Sequence, residues 1–366
     1  MSCSLKIKTV SEACPIISAE YEKELKRYIA RVKDLPGIRG VMTMGSVKAP
    51  GLSDLDIVCV VNSEWKKENS EKLNVDIKGY KSGVFIHGPF VISEKLLPDL
   101  QYIIWATNLT DIYGEISRFV KVIPEKEQPY LELAYLVDFT ESRFWQFEGC
   151  IKDKELDRRS WYARFWSLTH SLSICRNVGV ELSDDGLETI EAVEELRYGW
   201  LEGRYKSDDE FVKLFWRSYK LYKEIFVKAI DKVNSYFFPN VVGDKVKFSM
   251  TGKVILCSKA QKNIRVFYRS LKMGKYIVLS KLCLKAPFSY ALHLWGYGFG
   301  DIPSEIHEHP YISLLSKRCD LVRKHERFLD DNGMSFSLRG YLGFPRIESL
   351  FTRISRKLNF RISAPH

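Results

Sequence analysis

The chain has 366 residues, 45% of them hydrophobic and 13% aromatic, which excludes a disordered polymer and provides for two or three domains with buried cores. Its formal net charge of +10 points to polyanionic partners, whether nucleotides, nucleic acid or an acidic membrane face. Eight cysteines without any C-x-x-C pairing exclude a zinc ribbon and read as reduced, mostly buried thiols. The first residues lack the apolar core of a secretory signal, and no stretch reaches the roughly 18 apolar residues of a membrane span, so a cytoplasmic location is expected.

Over residues 18–34 the apolar side chains Tyr21, Leu25, Tyr28, Ile29 and Val32 recur at helical spacing, and Gly37 follows as a stop. A short apolar run over 40–44 then reads as a strand, a loop with a Pro50-Gly51 turn follows, and residues 55–61 read as a second strand. The charged stretch 63–81 is expected to be helical in part. Residues 83–93 read as a third strand, bulged at Gly88-Pro89, before a helix over 97–106 and a strand over 109–113. Residues 124–129, with a proline at each end, read as a linker.

Between residues 130 and 238 the pattern changes to long helical periods, with Trp161, Phe165, Leu168 and Leu172 on one face. Beyond Pro239 come strand-like runs over 245–250, 254–257 and 276–279, then a helical stretch over 310–329. The expected division is therefore 1–123, 130–238 and 241–366.

The segment that carries chemistry runs from Met44-Gly45-Ser46 through Lys48 and Ser53 to Asp54-Leu55-Asp56. A glycine at the end of a strand lets the backbone turn tightly and approach a phosphate, while Ser46 offers a hydroxyl and main-chain N–H groups. A helix starting just after it would add the partial charge of its N-terminus. Asp54 and Asp56, two apart on a strand, would point the same way, with Leu55 facing the core. Two carboxylates beside the phosphates of a nucleoside triphosphate form a ligand set that suits Mg²⁺.

An apolar strand, Gly-Ser, a short spacer and Asp-x-Asp on the next strand resemble the nucleotidyltransferase superfamily of the DNA polymerase β-like fold, and most closely its minimal and aminoglycoside branch. The resemblance covers about the first third of the chain. It implies an α+β protein: a small mixed-sheet catalytic domain, then a helical domain, with a basic C-terminal α/β region of unknown type. It also implies Mg²⁺ or Mn²⁺ on Asp54 and Asp56, and a triphosphate held by Gly45, Ser46, Lys48 and Ser53. The activity implied is transfer of a nucleoside monophosphate from a nucleoside triphosphate to an acceptor hydroxyl, on a small molecule or, alternatively, on RNA or protein.

The family's third carboxylate is absent from the expected strand 83–93. Asp76 and His87 are the two candidates for its place, Asp76 being preferred because a histidine is a poor Mg²⁺ ligand. Without a third acid, a degenerate module that binds nucleotide without transferring it is the alternative.

Weaker signals remain. His307-Glu308-His309 places two imidazoles two residues apart, but a polar loop before Pro310 explains them better. Arg158, Arg159 and Arg164, beside Trp161 and Phe165, would suit a triphosphate or a base, or simply a charged helix surface. The last fifty residues hold eleven Lys and Arg against five acids, interleaved with aromatics, a pattern that suits RNA or an acidic membrane face but, lacking any RNA-binding signature, reads better as a solvated helical surface or a protein contact.

Overall fold

The computed structural model describes residues 6–8, 16–73, 79–81, 83–85, 88–204, 207–237, 245–250, 253–258, 275–278, 309–334 and 346–349. After a first strand, β1 (Lys6–Lys8), comes α1 (Ser18–Val32), which buries Tyr21, Tyr28 and Val32 on one side as the sequence spacing requires. At its start the Glu20 carboxylate accepts a hydrogen bond from the Ile17 N–H at 3.3 Å. Gly37 has a φ of 86°, and a Cβ there would lie 2.5 Å from the backbone nitrogen of Trp65, so no other residue fits without a shift.

Next come β2 (Ile38–Met44), a run of turns over residues 45–55, and β3 (Asp56–Val61), which pairs antiparallel with β2 so that Met44 stands opposite Asp56. The short α2 (Ser70–Leu73), β4 (Phe90–Ser93), α3 (Leu100–Ile103) and β5 (Thr110–Tyr113) complete this part. The strand order is β4-β3-β2-β5, with β3 and β4 parallel and the other pairs antiparallel, a mixed sheet as expected.

Two elements are shorter than their sequence patterns suggest. The strand expected over 83–93 is described as β4 only from Phe90, immediately after Pro89, which has no N–H for a ladder. The helix expected over 97–106 reduces to a 3₁₀ turn at Leu97–Asp99 and the single turn of α3, because the chain becomes extended at Ile104 on its way to Thr107, whose carbonyl receives the Gly45 N–H.

The helical part consists of α4 (Gln128–Asp153), the short β6 (Glu155–Asp157), α5 (Arg158–Asn177), α6 (Asp184–Leu201) and α7 (Asp208–Phe237). Pro129 belongs to the first turn of α4, where a missing N–H is no loss, so the expected linker is only a turn over 124–127. Side-chain caps open α5, where Asp157 accepts from the Ser160 N–H at 2.8 Å, and α6, where Ser183 accepts from the Gly186 N–H at 3.2 Å. Aromatic rings fill the interior: Phe147 lies 4.5 Å from Trp161, and Trp161 4.8 Å from Phe215, centroid to centroid. β1 pairs in parallel with β6 and ties the N-terminus to these helices.

Beyond the helices, β7 (Lys245–Met250) and β8 (Lys253–Ser258) form an antiparallel pair. β9 (Lys275–Val278) pairs antiparallel with β10 (Arg346–Ser349), and between these two in sequence lies α8 (Pro310–Asp331). α8 packs against α3, α4 and β4. Its Tyr311, Ile312 and Leu315 join the core shared by the helices and one sheet face, while Leu329 joins the core under α1 on the other face.

Alternation along β3 assigns the two faces. Val58 and Val60 look toward the helical part with Met42, Phe90 and Ile92, whereas Ile57, Cys59 and Val61 look toward Tyr21, Tyr28 and Val32 of α1. The four described free cysteines are buried or half-buried, and burial pushes the Cys59 and Cys175 thiols up to about 12. Among the described residues, no helix is long and apolar enough to cross a membrane.

Candidate functional site

Gly45, at the end of β2, has a φ of 75° and donates its N–H to the Thr107 carbonyl at 2.7 Å. That left-handed turn suits glycine and leaves Ser46 and Lys48 exposed. A Cβ built on Gly45 would lie 4.0 Å from Asp56 Oδ2, so a carboxylate stands directly beside the turn. No helix begins after Ser46: the chain runs in turns to Asp56, and any phosphate here would meet main-chain N–H groups without a helix dipole.

Asp56 opens β3 on the parity of Val58 and Val60, the face toward the helical part. Asp54 lies two residues earlier, just ahead of the strand, while Leu55 packs against the core on the α1 side, as its alternation requires. Among the described residues no cluster of three or more His, Cys, Asp or Glu side chains could cage a metal. Two neighbouring carboxylates fit a cation that takes its remaining ligands from substrate phosphates and water, which is the habit of Mg²⁺.

The turn between Gly45 and Asp56 is held in several places. Ala49 and Leu52 are buried in the main core. Tyr21 of α1 donates its hydroxyl proton to the Ser53 carbonyl at 2.6 Å and accepts from the Gly51 N–H at 2.8 Å. The Ser53 hydroxyl accepts from the Ala49 N–H at 3.2 Å and from Arg197 Nη2 at 2.7 Å. Ser53, expected to touch a nucleotide, is thus the strut through which α6 grips the turn.

Arg197 is 2% exposed, its guanidinium lies 4.2 Å from the Trp166 ring centroid, and its Nε has no hydrogen-bond partner among the described residues. Burial pushes it down to about 10, against the opposing pull of Tyr198, Asp54 and Tyr21, so it keeps its charge at neutral pH. Trp166 also meets His170 and Tyr198 edge-on, each at 6.4 Å. Desolvation holds the His170 imidazole below its ordinary value; Lys48, Arg197 and Arg143 reinforce this, and Asp56 opposes it. His170 of α5 thus shares one electrostatic neighbourhood with Lys48 and Asp56 of the turn region, Arg143 of α4 and Arg197 of α6, with cations predominating.

Neither candidate for the third acid can be placed, since Asp76 and His87 lie outside the described residues. Arg158 is engaged in an ion pair with Asp208 and lies over Phe211, joining α5 to α7. Arg164 donates Nε to Gln146 Oε1 at 3.1 Å, and Arg143 donates Nη1 to the same oxygen at 3.1 Å. The side chain of Arg159 is outside the described set, as are His307 and Glu308, while His309 caps α8 by accepting from the Tyr311 N–H at 3.1 Å.

Within the described basic region, Arg318 is fully buried in an ion pair with Asp138, and Lys317 reaches Glu127 at 3.4 Å. These two cations serve the fold.

Sequence reasoning missed Arg197, Trp166, His170, Arg143 and Tyr21. Arg197 left one signal: it occupies the buried face of α6 with Ile190, Val193 and Trp200, a cation at helical spacing inside an apolar stripe.

No protein-family model matches this chain, and no curated protein matches it. Among solved structures it is similar to a spectinomycin adenyltransferase from Enterococcus faecialis, crystallised with ATP and spectinomycin, at 14% identity over 57% of this chain and 99% of that one, with a TM-score of 0.39. A likeness of that size says nothing about the chemistry of this chain.

Proposed function

We propose that this chain is a metal-dependent nucleotidyltransferase that moves a nucleoside monophosphate from a nucleoside triphosphate to a hydroxyl of a small molecule. The observation that carries the reading is the meeting of the Gly45 turn and Asp56, joined by a segment whose Ser53, next to Asp54, is gripped by a buried guanidinium that has only neutral hydrogen-bond and ring contacts among the described residues. Gly45, Ser46 and Lys48 hold the phosphates on the sheet side, and Arg197 meets them from α6. Asp54 and Asp56 hold Mg²⁺ or Mn²⁺, which when bound lowers the charge on the phosphates and eases departure of pyrophosphate.

The acceptor oxygen attacks the α-phosphorus, a new P–O bond forms, and the bond to the bridging oxygen breaks as pyrophosphate leaves with its electron pair. The acceptor's proton passes to a base. The sequence prefers Asp76 for the place of the third acid; among the described residues His170, whose imidazole is held below its ordinary value and feels the charge of Asp56, has the chemistry to take the proton. Cations near an imidazole keep it in the unprotonated form that can accept a proton, at the cost of some basicity, and the charge of Asp56 offsets part of that cost.

The test is pyrophosphate release from ATP, GTP, CTP and UTP with Mg²⁺ or Mn²⁺ and a mixed pool of hydroxylic acceptors, comparing wild type with Asp54→Asn/Asp56→Asn. Release that falls to background in the double variant is the expected result and names the donor. Nucleotide binding without release from wild type would replace the enzyme with a binding module.

A further inference from the structure

Arginine side chains that are almost fully buried ordinarily have a carboxylate close by, since an isolated charge in a protein interior is strongly disfavoured. Arg197 departs from that pattern. Among the described residues its one hydrogen bond goes to the neutral Ser53 hydroxyl, its flat face rests on the neutral Trp166 ring, and its buried Nε–H has no acceptor. Asp54, the residue after Ser53, feels its charge. The guanidinium therefore stands where it repels a cation held by Asp54 and Asp56, and where an anionic oxygen would satisfy it.

From this we infer that Arg197 couples metal to nucleotide: it weakens cation binding in the empty site and ceases to do so once a triphosphate is present. This rests on the nucleotidyltransferase reading and adds a binding order to it, with the cation entering together with the nucleotide. In the empty protein the guanidinium already compensates part of the carboxylate charge, so an arriving divalent ion gains less. When a triphosphate oxygen accepts from Nε, the positive charge is spent on the phosphate and both carboxylates are available to the ion. By linkage the same factor must appear in both directions, and coupling between two ligands of one protein typically lies in the roughly 5–150-fold range. Lys48, exposed and free to swing away, cannot impose this in the empty site, whereas Arg197 is fixed by Ser53 and Trp166.

The experiment is Mn²⁺ binding to the full chain, followed by the electron paramagnetic resonance signal of free Mn²⁺, with and without the non-transferable analogue α,β-methylene-ATP. Wild type, Arg197→Met, Arg197→Lys and Asp54→Asn/Asp56→Asn are compared, each checked by thermal melting. Without nucleotide, Arg197→Met is expected to bind Mn²⁺ about tenfold tighter than wild type, inside that coupling range. Arg197→Lys, which keeps the charge, should stay near wild type, and the double aspartate variant should lose the ion. On adding the analogue, the gain in Mn²⁺ affinity should be about tenfold smaller in Arg197→Met than in wild type. Equal Mn²⁺ affinity of wild type and Arg197→Met in the empty state, with equal gains from the analogue, would overturn the coupling while leaving the nucleotidyltransferase reading intact. Absence of both Mn²⁺ and analogue binding in wild type would overturn both.

Discussion

Two buried arginines hold helices of this chain against its sheet-bearing part, and they differ in one respect. Arg318 of α8 and its partner Asp138 of α4 are each 0% exposed, joined as an ion pair, with Arg318 Nε donating to the Tyr102 carbonyl at 3.0 Å and the Tyr135 ring 4.3 Å away. Arg197 of α6 has a hydroxyl and a ring but no carboxylate at hydrogen-bonding distance. The first charge is neutralised within the protein and belongs to the fold. The second has no such partner among the described residues, and it is bonded to Ser53, next to Asp54, in the segment that joins the glycine turn to β3.

Removing one side of each arrangement should separate the two sharply. Arg318→Met leaves Asp138 as an uncompensated buried charge and is expected to cost about 3–5 kcal/mol in urea unfolding, whereas Arg318→Met/Asp138→Leu should recover most of that loss. Arg197→Met should leave the ligand-free protein as stable as wild type or about 1 kcal/mol more so, because no buried acid is abandoned. A loss at Arg197 as large as that at Arg318 would mean that both are structural, and the contrast would fail.

A smaller effect is expected where the turn is held from the other side. Tyr21→Phe removes the acceptor of the buried Gly51 N–H and the donor to the Ser53 carbonyl, and should cost about 1–3 kcal/mol by thermal or urea unfolding. If the turn is positioned for phosphate, nucleotide affinity measured by calorimetry should also fall in this variant. Unchanged affinity would assign Tyr21 to stability alone.

The smallest effect concerns pH. His325 of α8 is 1% exposed, stacks on Phe90 at 4.9 Å and bonds the Val91 carbonyl at 2.8 Å. Burial holds it below its ordinary value, although the bond to Val91 pulls it up. The unfolded chain therefore binds a proton on this residue at a higher pH than the folded one does. Stability from this site is complete above the unfolded value of about 6.5 and falls as the pH drops below it, until the lowered folded value is reached. His325→Phe should flatten that part of the acid-side decline in melting temperature, while Arg197→Met should leave it unchanged. A decline of equal slope in wild type and His325→Phe would place the titration elsewhere.

Much of the sheet and the helices could be read in advance because their patterns are local. Tyr21, Tyr28 and Val32 announce α1, and the apolar runs around the Gly45 turn announce β2 and β3, with Asp54 and Asp56 at the expected junction. The failures lie where neighbours distant in sequence decide. The 97–106 segment has helical spacing, yet it unwinds at Ile104 because its continuation must pass Gly45. The contact between the Ser53 hydroxyl and Arg197, an arginine 144 positions later, left no local trace either. Arg197 follows Glu194 and Glu195 closely, and only its place among Ile190, Val193 and Trp200 betrays that it points inward.

The covering of β4 by α8 has a consequence for how the chain is made. β4 is an outer strand of the four-stranded sheet, and Phe90 and Val91 meet His325 of a helix that begins more than two hundred residues later. During synthesis the sheet emerges first and waits, with that edge uncovered, until more than two hundred further residues have left the ribosome. An unprotected strand edge is a site for wrong pairing, so the interval before α8 arrives is when aggregation competes most strongly with folding. Fragments that end before Pro310 should therefore need chaperone assistance that the full chain needs only in passing.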